Sequence, residues 1–266
     1  MSIARTDGGE LYYEEKGDGV PIVLIHPAGA TSSTWEAVAG ELAQTGRVIA
    51  YDRRGCGRSK GEPVRSIPAH TADAAALLDI LGAAPAVVAG ISVAATIAID
   101  LASHRPDLVR AVIAHESPWH VTRHPPTRAQ IAALSRTGWL ALRGKHADAA
   151  ATFLRFAYSY QDGGTAWDAF PEDWRQAARD NAKAALADIR MGIGGYPPAA
   201  QLASITRPVV VTCGARSHNT LRRVARSLAA TIPGARAQEI EGAGHAAAFD
   251  APARFGRVIA EATRPA

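Results

Sequence analysis

Residues 86–95 read Ala86-Val87-Val88-Ala89-Gly90-Ile91-Ser92-Val93-Ala94-Ala95, and this stretch decides the fold. Ala86 to Ala89 is a short apolar run of buried-strand type, and the residues from Val93 to about Ser103 carry the spacing of an amphipathic helix. Small residues at Gly90, Ala94 and Ala95 permit a tight strand-to-helix turn that exposes the Ser92 hydroxyl at the carboxyl edge of a sheet. A hydroxyl is a weak nucleophile without a neighbouring base. Ser92 therefore either caps the following helix, a common serine role, or awaits a histidine brought to it by the fold.

Outward from this turn the same alternation continues. Val/Ile-rich runs at Tyr12 to Glu15, Pro21 to Ile25, Arg47 to Tyr51, Val109 to Ala114, Pro208 to Thr212 and Ala235 to Ile240 are read as strands. Ala/Leu-rich segments at about His70 to Leu81 and Ala251 to Ala262 are read as helices. Short apolar strands separated by helices predict an α/β protein whose mostly parallel sheet is covered on both faces. Between Ser117 and Pro208 the alternation stops, and about ninety residues read as helices with loops at HPPT, QDGGT and GGYPP. Most aromatics of the chain lie there, among them Trp119, Trp139, Trp167, Trp174, Phe153, Phe156, Phe170, Tyr158, Tyr160 and Tyr196. They either fill the core of a helical subdomain or, for a few, line an apolar pocket. The expected division is a core of residues 1–116 and 206–266 with a helical cap, or lid, at 117–205.

A partner for Ser92 stands near the end of the chain, where the segment GAGHAAAFDAPARF follows the last strand and precedes the last helix. His245 on that loop can reach the top of the sheet and serve Ser92 as base and then as acid. The loop His26-Pro27-Ala28-Gly29-Ala30 follows an early strand. Its backbone at Ala28 offers one N–H to a developing oxyanion, and the Val93 N–H offers a second. His26 itself is read as structural, holding the loop by hydrogen bonds.

Composition narrows the function from another side. The 266 residues include 47% hydrophobic and 20% charged side chains, enough for a sizeable core. The 29 basic and 25 acidic residues leave a net charge of +4, and the basic residues are scattered, with Arg222, Arg223 and Arg226 the densest group. That argues against nucleic acid as a partner. Cys56 and Cys213 alone make neither a disulfide framework nor a cysteine-rich metal site. No HExxH, paired CxxC or P-loop occurs, so neither a metal nor a nucleotide cofactor is implied. The opening MSIARTDGGELYYEE lacks the apolar run of a signal peptide, and no apolar stretch of about 18 residues or more occurs. The expectation is a cytoplasmic protein with a small-molecule substrate and no membrane partner, a homodimer being left open.

Together these motifs resemble the α/β-hydrolase superfamily. The resemblance runs through HPAGA, YDRRGCGRS, GISVAA, RPDLVRAVIAHESP and GAGHAAAFDAP in the family's order and spacing. It implies an eight-stranded, mostly parallel sheet with a helical cap inserted after strand 6. Asp52 and Arg53 are then structural, holding the turn that follows their strand. The Gly-Ile-Ser-Val-Ala turn departs from the stricter G-x-S-x-G only in its last, still small, residue.

The family's usual triad acid, an Asp after the seventh strand, is missing. Ser217 stands in its place in VVVTCGARSHNT, and no Asp or Glu occurs from Ile189 through Gln238. Glu116, at the end of the strand beside the nucleophile strand, is the natural replacement, because neighbouring strands lie about 4.8 Å apart. Some dehalogenases and lactone hydrolases of the superfamily carry a Glu there. The rival role for Glu116 is an ion pair with a cap arginine. Strand alternation turns His115 to the opposite face, as a core histidine, while His120 and His218 lie on segments that could border the pocket and are read as polar surface residues.

The expected function is a serine hydrolase of a carboxylic ester or lactone, acting through an acyl-enzyme on an apolar or ring-bearing substrate. Ser92 attacks, His245 moves the proton, Glu116 orients the imidazole, and the Ala28 and Val93 N–H groups hold the oxyanion. The alternatives are carbon–carbon bond hydrolysis, acyl transfer to another acceptor, or a non-catalytic small-molecule-binding protein on the same scaffold. Epoxide hydrolysis and dehalogenation are disfavoured, because those relatives carry an Asp where Ser92 stands.

Overall fold

A computed structural model describes residues 2–192 and 196–264. Eight strands form one sheet: β1 (Ser2–Thr6), β2 (Gly9–Lys16), β3 (Pro21–Ile25), β4 (Arg47–Tyr51), β5 (Ala86–Ile91), β6 (Val109–His115), β7 (Val209–Gly214) and β8 (Arg236–Ile240), in spatial order β1-β2-β4-β3-β5-β6-β7-β8. β1 and β2 run antiparallel at one edge, and every pairing from β4 through β8 is parallel.

The period of two explains how the sheet is covered. In β3, Ile22 and Leu24 face one apolar cluster while Val23 and Ile25 face the other. Helices α1 (Glu36–Leu42), α2 (Ile67–Ile80) and α3 (Val93–His104) follow the early strands. Further along come α4 (Arg128–Leu142), α5 (His146–Ala157), α6 (Glu172–Asp180), α7 (Ala182–Gly192) and α8 (Ala199–Ala203), all between β6 and β7. The chain closes with α9 (Asn219–Thr231), α10 (Ala247–Asp250) and α11 (Pro252–Glu261). One cluster takes Trp35, Val38 and Leu42 beside Phe255, Val258 and Ile259, so α1 and α11 cover one face. The other takes Ala74 to Leu78, Val93 to Ala102 and Val224 to Ala229, so α2, α3 and α9 cover the second.

This is the eight-stranded α/β-hydrolase fold with helices inserted after strand 6. Residues in the insertion, such as Leu154, Tyr158 and Trp167, share a cluster with sheet residues. Of the expected GGYPP loop, Gly194 and Gly195 lie outside the described residues. Edge strand β1 escaped the sequence reading because SIART buries only Ala4 and carries no apolar alternation. The expected segment Tyr12 to Glu15 is the middle of the longer β2. No helix among the described residues is long and apolar enough to cross a membrane.

The turn out of β5 is as tight as its residues suggest. A Cβ on Gly90 would run into the backbone of Ala94 and Ala95. Because the obstacle is backbone, it cannot rotate away. Gly90→Ala is therefore expected to destabilise the protein by more than about 2 kcal/mol, lowering the melting midpoint by roughly 4 to 8 °C; an unchanged midpoint in a thermal melt would contradict this packing.

Candidate active site

Ser92 is held by the strand ends. Its φ is 60° and its ψ −127°, in the positive-φ region that side chains other than glycine seldom occupy. Its own N–H donates to His115 O at 2.8 Å, across from β5 to β6. The Ser92 side chain makes no cap hydrogen bond to α3, so the helix-cap role does not apply. The hydroxyl is left for other work, in a cavity it shares with Glu116 and His245.

Glu116 begins one residue beyond β6 and is also strained, with φ 49°. Its N–H donates to Thr212 O at 3.0 Å, which fixes it between β6 and β7. The carboxylate is buried and fully engaged. Oε2 lies 2.7 Å from His245 Nδ1, and Oε1 accepts the Gly214 N–H at 2.9 Å. Burial by itself raises a carboxyl's pKa, but the His115 and His245 imidazoles outweigh it and hold Glu116 down at about 2. An ionised Glu116 leaves the proton on His245 Nδ1, so the tautomer places the free lone pair on Nε2. The rival partner for Glu116, a cap arginine, is not what the carboxylate meets.

His115 sits next to this pair without entering it. Its ring is buried, with Nε2 3.1 Å from Gly244 O and Nδ1 3.0 Å from Thr212 Oγ1. The first contact needs an N–H and the second suits a lone pair, which makes a neutral imidazole, and burial lowers its pKa accordingly. It is the satisfied core histidine expected, and it supports the His245 loop from behind.

Ser217 is buried, and its Oγ has no hydrogen-bond partner of normal geometry among the described residues. It stands close enough to Glu116 to contribute to the carboxyl's lowered pKa.

The loop of residues 26–30 lies over the same cavity. Ala28 and Val93 both line it, and among the described residues neither backbone N–H is taken up by a hydrogen bond. His26 is buried and fastens the loop, with Nδ1 2.8 Å from Pro27 O and Nε2 accepting the Arg53 N–H at 2.9 Å. Burial, aided by the Arg53 charge, pushes its pKa down to about 3, so it stays neutral. Asp52 accepts from the N–H groups of Ser32 and Arg58, binding the turn after β4 to the same loop.

The cap aromatics divide. Phe153 and Phe156 line the chamber at Ser92. Tyr158, Trp167, Phe170 and Trp174 line a second hollow, with Phe249, on the other side of His245 and Ala28. Trp139 is exposed, between the guanidinium groups of Arg136 and Arg143. The reading of His218 as a surface residue is corrected: it is half-buried in the chamber wall, bonded through Nε2 to Ser159 Oγ at 2.8 Å and stacked on Phe156. Its segment shows no apolar pattern, so only the approach of α5 reveals the role. His120 packs on Trp119 outside the chamber. Asp188, from α7, also lines the chamber, and sequence reading missed it.

Comparison with known proteins bears on the family and the fold. Residues 20–252 match the family described as alpha/beta hydrolase fold. The chain is similar to an uncharacterized hydrolase, YraK, of Bacillus subtilis (strain 168), with 36% identity over 116 residues, which is 42% of this chain and 42% of that protein. The matched stretch thus spans about two fifths of that curated relative's length. Among solved structures it resembles Est816, described as an N-acyl homoserine lactone degrading enzyme, at TM-score 0.76 and 26% identity over 97% of this chain and 98% of that one. The enol-lactonase from Burkholderia xenovorans LB400 shares the fold at TM-score 0.78 and 21% identity, over 98% of this chain and 99% of that one. With 233 consecutive residues inside the family match, the chain belongs to the alpha/beta hydrolase fold family.

Proposed function

We propose that this chain is a serine hydrolase that opens a carboxylic ester or lactone through an acyl-enzyme. The observation that carries the reading is the 2.7 Å contact between His245 Nδ1 and an ionised, buried Glu116, in the cavity that holds the strained Ser92. The likeness to Est816, a lactone-degrading enzyme by its description, supports the substrate class.

In this reading Ser92 Oγ attacks the carbonyl carbon while His245 Nε2 takes its proton. Glu116 keeps the imidazole in the required tautomer and stabilises the imidazolium. The negative charge that moves onto the carbonyl oxygen accepts hydrogen bonds from the N–H groups of Ala28 and Val93. When the intermediate collapses, His245 returns the proton to the departing alcohol oxygen. Water, deprotonated by the same imidazole, then attacks the acyl-enzyme and releases the acid. Residues 117–205 act as a lid that excludes solvent, and the aromatic walls favour an apolar or ring-bearing group. A reducing, cytoplasmic setting suits the two free thiols.

Initial rates on a panel of p-nitrophenyl esters and aryl lactones test the reading. Hydrolysis is expected from the wild type and is expected to vanish in Ser92→Ala; a folded wild type that hydrolyses none of them and resists a fluorophosphonate probe would refute it. Glu116→Gln is expected to lower kcat by roughly 100-fold or more. Ser217→Asp in the Glu116→Gln background returns a carboxylate beside the imidazole and is expected to recover at least about tenfold of that loss, as the proximity of the two side chains implies. Stability supplies a further check. Glu116 has a folded-state pKa of about 2 against an ordinary 4.5, so its contribution is full above pH 4.5 and is lost as pH falls toward 2. Denaturant midpoints of wild type and Glu116→Gln should therefore converge over that interval, and a constant gap would count against the ionised pair.

A further inference from the structure

The chamber wall contains a carboxylate for which the mechanism above has no use. Asp188 is buried on α7 and forms a fork with Arg53, also buried, from the turn after β4. Arg53 Nη1 donates to Oδ1 at 3.0 Å and Nη2 to Oδ2 at 2.6 Å. The His70 ring closes the group, with Nε2 3.1 Å from Arg53 Nη1, where it accepts as a neutral base. Removing two charges from water is costly, and an apolar pair of equal volume often serves stability as well or better. The ion pair invites a reason other than stability.

That reason is visible in what the rest of the guanidinium touches. Arg53 Nε donates to His26 O at 3.1 Å and Nη2 to Pro27 O at 3.3 Å. These are the two carbonyls just before Ala28. At the other end of α7, Asn181, which immediately precedes the helix, donates from Nδ2 to Ala30 O at 3.1 Å and accepts the Gly57 N–H at 2.9 Å. The loop is therefore gripped on both sides of Ala28, directly by Asn181 and through Arg53 by Asp188. Between the two grips the loop presses against the insertion. A Cβ on Gly29, whose φ is +70°, would strike the Leu154 side chain and touch Ala178 and Ala185.

We propose that α7 belongs to the oxyanion device: Asn181 and Asp188 are positioning residues that hold residues 26–30 so that the Ala28 N–H points at the developing oxyanion. The inference rests on the serine-hydrolase reading and extends it. A helix of the insertion then does more than cover the substrate. Seating it orients one of the two donors, so a misplaced α7 yields an enzyme that binds substrate but stabilises its tetrahedral intermediate poorly. Preorganised donors act through geometry, and a small misalignment is enough to lower the rate.

The test uses the best ester found for the wild type and a trifluoromethyl ketone, whose hemiketal oxygen occupies the oxyanion position. Asp188→Asn keeps the shape and removes the charge; Asn181→Ala removes the other grip; Arg53→Lys keeps the charge but cannot span both carbonyls and Asp188. Each is expected to lower kcat at least tenfold with KM changed less than threefold, and to weaken the ketone in proportion to kcat. Because both grips act on one loop, the Asn181→Ala/Asp188→Asn double variant should fall short of the product of the single losses. A raised KM with unchanged kcat, or a lost kcat with unchanged ketone affinity, would overturn the proposal. Should Asp188→Asn fail to fold, Asn181→Ala alone decides, since it disturbs no buried charge. A wild type without Ser92-dependent turnover would instead refute the hydrolase reading, while an active wild type with unaffected variants refutes only the role of α7.

Discussion

Everything at this site depends on how β5 turns into α3. The strand must end, reverse and enter a helix within the space left by Gly90 and Ala94, and that leaves Ser92 at positive φ with its side chain making no cap hydrogen bond to α3. Such a conformation costs of order 1 to 3 kcal/mol and persists only where the surroundings over-determine it. Here they do: β5 is buried along its whole length, and the Ser92 N–H is tied to the end of β6. The strain is the cost of presenting a hydroxyl at the rim of the sheet.

The same sheet register brings Glu116 within reach of His245. Ile91 pairs with His115, and His115 with Thr212, so the ends of β5, β6 and β7 come to one level. Glu116, rising from the end of β6, reaches the His245 imidazole with a long side chain and a backbone at positive φ. Gly214, at the end of β7, still participates by giving its N–H to Glu116 Oε1. His115, its ring beside the Glu116–His245 pair, props the His245 loop through Gly244 O.

The inserted helices are attached to the core at the points where the chemistry is set. One tie runs from Asp188 to Arg53 and the 26–30 loop. Another runs from Tyr160, whose hydroxyl donates to Asp250 at 2.7 Å while Asp250 also accepts the Gly244 N–H beside His245. Both attachments use hydrogen-bonded polar groups rather than apolar packing alone, which fixes direction as well as proximity. The insertion thereby shares its orientation with the two loops that hold the proposed oxyanion donor and base.

Local pattern carried a great deal of this in the sequence alone. A buried strand, three small residues and a serine define the turn at Ser92, and short apolar runs separated by Ala/Leu-rich helical segments define the parallel sheet, because both signals arise from neighbours in the chain. The absence of any acid from Ile189 through Gln238, with Glu116 standing at a strand end, was likewise legible, since counting residues needs no coordinates. Edge strand β1 buries only one side chain and so offers no alternation to read, whereas α9 went unread although Val224, Ala225, Leu228 and Ala229 form a regular buried stripe along it. Contacts between distant segments arise only on folding: the meeting of Glu116 with His245 across 129 positions, of Arg53 with Asp188 across 135, and of His218 with the chamber wall. Side-chain chemistry can be recognised one residue at a time, but distances between remote residues are set by strand register and helix packing, which exist only once the chain has folded.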